Sequence, residues 1–293
     1  MNRNIKTTAL SATVTLALGL SSSASADDVT DVVNNAINVG KDALYVNAPE
    51  WLQRTSIEIQ VEESFKPTIE LETVQPIIKN TKDDVTFYQI NARTRDSKKS
   101  YNLGVGYRTI ADDMMYGVNA FYDYEAENKH KRSSIGVEAI SNDLEARASV
   151  YNAISSKKEV KTNEFEQALD GWDVEIGGSI LPMDRNLKVY LSHSKFKSVT
   201  AGRSDYEDNQ IRATYPLDSN TTIEVGHTME KEKYSSKSKD RSFAKLKYTF
   251  GKQSSGKSTE VGLRTKLLQP VERRHEIVLE KTINASVTIS RGN

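Results

Sequence analysis

The sequence has 293 residues, 37% of them hydrophobic and 27% charged, with 40 basic and 40 acidic side chains and a formal net charge of zero. Without a basic excess it lacks the electrostatic footprint of a nucleic-acid binder. With no cysteine it has no disulfide, no thiolate nucleophile and no cysteine-ligated metal. Such a chain can also cross an oxidising compartment unfolded without being cross-linked wrongly.

The N-terminus carries the marks of an export signal. Arg3 and Lys6 precede an apolar stretch over residues 7–20, and Ala24-Ser25-Ala26 supplies a small-x-small cleavage site. The order of charge, apolar run and cleavage site predicts a signal peptide over 1–26, cut after Ala26. Past it, Val29, Val32, Val33, Ala36, Ile37, Gly40 and Leu44 recur at three and four residues. This predicts one short amphipathic helix within 27–50, in the periplasm, ending before Pro49. No later apolar run reaches the roughly 18 residues that a membrane-spanning helix needs.

From Thr55 onward the period changes to two. Ile57, Ile59 and Val61 alternate with Glu58, Gln60 and Glu62; Leu103, Val105 and Tyr107 alternate with Gly104 and Gly106; Val118 and Ala120 flank Asn119. The pattern returns at Ile135/Val137, Ala146/Ala148, Val174/Ile176, Val189/Leu191, Ile211/Ala213, Ile223/Val225 and Ala244/Leu246, with a weaker segment over 85–92. It predicts about twelve strands of roughly nine to eleven residues, the length that crosses a bilayer when tilted. Between the apolar positions stand charges: Glu58, Glu62, Arg108, Glu138, Glu175, Arg212, Lys245 and Lys247. In a wide barrel they line the lumen; in a secreted sandwich they would face water.

Connection lengths favour the barrel. Polar loops at 125–132, 153–169, 197–206 and 230–240 alternate with short turns at 141–143, 181–185 and 216–220, as in bacterial barrels with long outer loops and short periplasmic turns. The short link at Phe65-Lys66 departs from the trend. Tyr107, Tyr122, Tyr124, Trp172, Tyr215 and Phe250 fall near strand ends, where an interfacial belt belongs. The expected fold is therefore all-β, a twelve-stranded antiparallel transmembrane barrel over 51–250, with an even strand number that leaves both its ends in the periplasm.

The tail, 251–293, is long enough to cross a lumen of about 25–30 Å, which needs roughly nine extended residues or about 20 helical ones. Arg264, Lys266, Arg273, Arg274 and Glu276 give it charge, and lumenal Glu58, Glu62, Glu138 and Glu175 are the expected partners. Leu263, Leu267, Leu268 and Val271 suggest a helical turn interrupted by Pro270, followed by an extended segment that occludes the pore.

Chemistry finds little support. The run from Gly251 through Gly256-Lys257-Ser258 matches a phosphate-binding loop, but Thr259-Glu260-Val261-Gly262 is a poor first helical turn and no parallel α/β sheet surrounds it. Of the four histidines, none lies at metal-ligand spacing from another; His130 sits in a basic run and reads as solvated. No nucleophile elbow is present. The expectation is a non-enzyme without metal or cofactor.

The stretches Leu103-Gly104-Val105-Gly106-Tyr107-Arg108, Met115 to Tyr124 (MYGVNAFYDY), His130-Lys131-Arg132 and Ile135-Gly136-Val137-Glu138-Ala139 resemble the intimin/invasin family, the inverse autotransporters. So do Gly171-Trp172-Asp173, Tyr215-Pro216-Leu217 and the run from Pro270 through Glu272-Arg273-Arg274-His275-Glu276 to Glu280. The resemblance covers about 51–281. It implies a twelve-stranded outer-membrane barrel whose following linker threads the lumen outward, to Ig-like or lectin-like passengers that bind host or neighbouring cells. It also implies dependence on periplasmic chaperones, the barrel-insertion machinery and outer-membrane lipid. The residues after the linker motif, up to Asn293, are too few for a passenger, and those before the barrel too few for the peptidoglycan-binding module of some relatives. The expected function is thus an outer-membrane anchor or translocator reduced to its barrel; the alternative is a small passive channel.

Overall fold

The computed structural model describes residues 52–63, 65–78, 81–181, 184–231, 240–251 and 262–283. The expected signal peptide and periplasmic helix, and the Lys257-Ser258 phosphate-loop match, lie outside them.

The strands are β1 (Thr55–Glu62), β2 (Thr68–Ile78), β3 (Asp84–Arg95), β4 (Lys98–Ala111), β5 (Met114–Glu125), β6 (Lys131–Ile140) and β7 (Leu144–Ala153). There follow the short β8 (Lys158–Lys161) and β9 (Glu164–Ala168), then β10 (Gly171–Leu181), β11 (Asp184–Phe196), β12 (Tyr206–Pro216), β13 (Thr221–Glu230) and β14 (Asp240–Thr249). A single helical turn, α1 (Leu263–Lys266), and β15 (Leu279–Ile283) complete the described elements.

Twelve strands close into one antiparallel barrel, β1 pairing with both β2 and β14, while β15, β9 and β8 form a separate three-stranded sheet. Closure leaves no sheet edge for lipid to meet. The facing follows the period of two. Leu103, Val105, Val118, Ile135, Val137 and Leu191 are exposed on the outer wall, whereas Arg108, Asn119, Asp123, Arg132 and Glu138 are buried inside. Apolar outside and charged inside reverses a water-soluble protein. That excludes the secreted sandwich, whose apolar face would be the buried one.

The barrel has a long-loop end and a short-turn end. β1 begins and β14 finishes at the short-turn end, with the links β4–β5, β6–β7, β10–β11 and β12–β13. Two departures from expectation appear at the other end. The β3–β4 link is a two-residue turn, Asp96-Ser97, both at positive φ. The 153–169 segment is not a plain polar loop but holds the β8–β9 hairpin. Of the expected aromatic belt, Tyr107, Tyr122, Trp172 and Tyr215 face outward; Phe250 instead is buried at the short-turn end, its amide bonded to Thr55 O at 2.8 Å.

Two glycines shape the lumen. A Cβ on Gly104 would stand 2.2 Å from the Phe121 ring, and one on Gly106 2.4 Å from the Phe87 ring. Without side chains these positions let both rings lie flat on the inner wall, where they form part of an apolar floor with Val74, Val85, Met115 and Ile140.

Candidate functional site: a chain threaded through the lumen

The floor is covered by the molecule's own C-terminal segment. Leu263, Leu267 and Val271, at helical spacing before and across Pro270, pack onto it. Burying each of these side chains stabilises by about 1.5–3 kcal/mol, so this contact seats the segment at the short-turn end. Lys266 Nζ donates to Ser141 O at 2.8 Å and pairs with Glu145 at 3.1 Å. Arg108 donates to the carbonyls of Lys266 (3.3 Å), Leu267 (3.0 Å) and Gln269, while its Nε holds Glu138 at 2.6 Å. The Lys266 and Leu267 carbonyls close α1, where Lys266 O also accepts from the Gln269 amide at 3.1 Å, and the arginine supplies the remaining donors.

Past Pro270 the chain extends and climbs the lumen. The Val271 amide donates to Gln89 Oε1 at 2.8 Å. Arg273 reaches Asp123 at 2.6 Å with its guanidinium over Phe121, 4.4 Å from the ring centroid. Arg132 shares Asp123 at 2.8 Å and donates to the carbonyls of Arg274 (2.7 Å) and Glu276 (2.8 Å). Arg274 crosses to Ser194 at 3.0 Å and to Asp208. His275 Nδ1 lies 3.0 Å from Glu70, and Glu276 accepts from Arg93 at 2.7 Å and from Arg95.

At the long-loop end the segment becomes β15, which pairs antiparallel with β9 from Leu279↔Ala168 to Ile283↔Glu164. Glu280 is bound by Ser198 Oγ at 2.7 Å, by Thr200 and by the Val199 amide at 3.2 Å. His130, expected in solvent, is fully buried here, 3.4 Å from Glu166. The hairpin folds back over it, a contact that its basic neighbours Lys129 and Lys131 do not announce.

The eight wall charges all project inward; Arg108 holds the tail's carbonyls and Arg212 lies 4.0 Å from Glu272, but the four carboxylates expected to meet the tail's bases do not. Glu138 is taken by Arg108, and Glu62 by Arg241 at 2.8 Å and Arg95 at 2.8 Å. The remainder form a ladder across the opposite wall: Lys247–Glu72 (3.2 Å), Lys245–Glu58 (3.5 Å), Lys245–Glu224 (3.1 Å), Arg212–Glu224 (2.7 Å), Arg212–Glu175 (2.7 Å) and Arg147–Glu175 (2.9 Å). The tail's actual partners are Asp83 for Arg264, Glu145 for Lys266, Asp123 for Arg273 and Asp208 for Arg274. Arg264 is exposed at the short-turn rim rather than lumenal. Since the segment lies against β3–β7, a polar void of about 170 Å³ remains on the far side, lined by residues such as Gln60, Gln210, Arg212 and Glu272.

Glu70, Glu72 and His275 bring potential ligand atoms within 4.8 Å of one another. The carboxylates are already occupied, Glu70 by Asn91 and by Arg93 at 3.6 Å, Glu72 by Gln89 at 2.7 Å and Lys247 at 3.2 Å. The set is an ion-pair network, with its charge neutralised by bases.

A closed twelve-stranded wall, apolar outside and charged within, holding its own C-terminal segment along the lumen, defines an outer-membrane barrel with a threaded linker. The family model of the inverse autotransporter β-domain matches residues 12–275, and the chain belongs to that family. It is 24% identical to the invasin of Yersinia enterocolitica over 199 residues, 64% of this chain and 24% of that protein. It is 26% identical to the inverse autotransporter adhesin YeeJ of Escherichia coli K12 over 168 residues, 55% of this chain and 7% of that one. The chain thus spans only a minor part of the length of these relatives. A membrane-protein structure from a study of in-meso crystallization aligns over 78% of this chain and 99% of its own, with a TM-score of 0.63 and 20% identity, which shows a shared fold. The protein is an outer-membrane anchor and translocator unit, of a family that is not enzymatic.

Proposed function

We propose that the barrel carries its linker from the periplasm to the cell surface and holds it there, so that whatever follows Ile283 is presented outside. The single observation that carries this is the path of the linker, seated by Leu263 and Leu267 at the short-turn end and paired as β15 with the loop hairpin at the other. Short turns belong to the periplasmic side and long loops to the outside. Export by the signal over 1–26, delivery by periplasmic chaperones and the insertion machinery, and contact with a host or neighbouring cell complete the reading, with no catalytic role for the chain.

The absence of cysteine makes the test clean. Single replacements K281C and R264C stand on exposed side chains at opposite ends of the linker. A membrane-impermeant maleimide should label K281C on intact cells and R264C only after permeabilisation. The reverse pattern would invert the barrel, and equal labelling of both would mean that the linker does not span it. A second reading, a passive channel, draws on the charged void beside the linker. Single-channel recording decides between a leak too small to serve as a pore and a conducting one.

A further inference from the structure

On the outer wall at the long-loop end, Ile90, Leu103 and Tyr122 form one row across β3, β4 and β5, and Ala92, Tyr101, Tyr124 and Lys131 form the next row toward the rim. Ala92 contributes only a methyl group, so the tyrosines border a hollow rather than a flat surface. This groove has a volume of about 700 Å³, and three lysines close its upper side: Lys131 from β6, Lys129 from the β5–β6 loop and Lys158 from β8. The lower side, toward the barrel wall, is apolar; the upper side, toward the loops, is cationic.

Several other bases at the same end are taken by carboxylates: Lys98 and Lys281 by Glu166, Lys195 and Lys231 by Glu207, Arg203 by Glu280. Among the described residues, Lys129, Lys131 and Lys158 have no carboxylate partner, although they converge on one groove. An isolated lysine at a membrane surface is ordinary. Three unpaired ones above an aromatic slot call for an anion that also carries an acyl chain, and each such lysine strengthens the attraction to an anionic headgroup.

We propose that this groove binds a phosphate-bearing glycolipid of the outer leaflet, its phosphate among the three lysines and the start of an acyl chain between Tyr101, Tyr124 and Leu103. The site is built from two parts of the molecule. Lys158 belongs to the β8–β9 hairpin that pairs with β15, so a bound lipid ties that hairpin to the barrel wall and steadies the linker's exit. The leaflet assignment rests on the long-loop end facing outward, but binding to purified protein does not, so failure of one leaves the other testable.

The test is native mass spectrometry of the detergent-purified full chain, titrated separately with bis-phosphorylated lipid A, with the same lipid after removal of both phosphates, and with inorganic phosphate alone. The expected result is one tightly bound lipid A, with the dephosphorylated lipid and phosphate alone each at least roughly tenfold weaker. The variant K129A/K131A/K158A should weaken lipid A binding by at least about tenfold, while K66A/K161A/K197A, at the same rim but outside the groove, should not. All six lysines are on the surface, and heat-modifiable mobility checks that both variants are folded. No binding by the unmodified protein, equal binding of the phosphate-free lipid, equal binding of phosphate alone, or equal loss in the two variants would each overturn the proposal. The first three require no variant to fold.

Discussion

Replacing Asp123 with alanine should loosen the linker within an intact barrel. The carboxylate is wholly buried, and three donors meet on it: Arg132 at 2.8 Å, Arg273 at 2.6 Å and Asn102 at 2.6 Å. Its loss leaves two guanidinium groups in the lumen without their counter-ion. Breaking a buried pair costs about 3–5 kcal/mol. Two residual contacts favour the lower figure: Arg132 keeps the Arg274 and Glu276 carbonyls, and Arg273 keeps the face of Phe121. About 3 kcal/mol corresponds to on the order of a hundredfold in a local opening equilibrium. Hydrogen exchange of the Val271 and Arg274 amides, which are held by Gln89 and Tyr151, reads that opening directly. Both should lose protection by that factor while the Val118 amide, in the β5 ladder, does not. D123A combined with R273M should be no worse than D123A alone, because the two changes remove the same contact. Linker protection unchanged within about twofold, or equal loss in β5, would refute the idea that this anion fastens the linker rather than the wall.

Val118→Arg should hinder assembly far more than Gln210→Arg, since the first side chain faces lipid and the second lines the void; the lipid-facing charge costs roughly 2–4 kcal/mol, and equal loss of heat-modifiable folded protein would mean the facing is wrong. Deleting residues 261–293 should raise single-channel conductance, because it removes the chain that fills the β3–β7 side of the lumen; equal conductance would show that the linker does not occlude the pore. Acid should release β15 from its hairpin. The hydrogen bond from His130 holds Glu166 well below the ordinary carboxylate value of 4.5, burial opposing it and Lys281 adding to it. For Glu280 burial raises the value, and hydrogen bonds from Thr200 and Ser198 outweigh it. Both folded values lie below the unfolded one, so their contribution is fully present above about 4.5 and is lost as the pH falls through the folded values. Protease cutting in 154–170 should rise between pH 5 and strongly acidic solution, in steps of roughly one pH unit; a flat response would exclude these carboxylates as the fastening.

The wall was legible because its physics is local. Each strand exposes alternate residues to lipid, so Leu103/Val105 and Ile135/Val137 declare their side within three residues, and Arg108 and Glu138 declare the other. What faces what across the lumen is not local. Glu58 and Glu138 have the right sign for the linker's arginines, but closure puts Lys245 and Arg108 beside them first, and Asp123, between two tyrosines, and Asp208, between Glu207 and Asn209, are the carboxylates that meet Arg273 and Arg274. The β8–β9 hairpin was hidden for a related reason. Its strands are short, 158–161 and 164–168, and lack a clean apolar alternation, since their stability comes from a partner more than a hundred residues on. His130 is buried by that same hairpin, so its basic neighbours were a poor guide to its surroundings.

The pairing of β15 with β9 also sets how a pull from outside is borne. Tension applied beyond Ile283 acts at the outer tip of β15, opposite Glu164, while β9 is tied to the barrel below Ala168. The two strands are therefore loaded at opposite ends, and their rungs are sheared together rather than peeled one after another. Should they yield, Arg274 on Asp208 and Arg273 on Asp123 come under load next, and the apolar seat of Leu263 and Leu267 last. The linker is in that sense a series of catches of increasing depth, with the first to slip placed farthest from the pore.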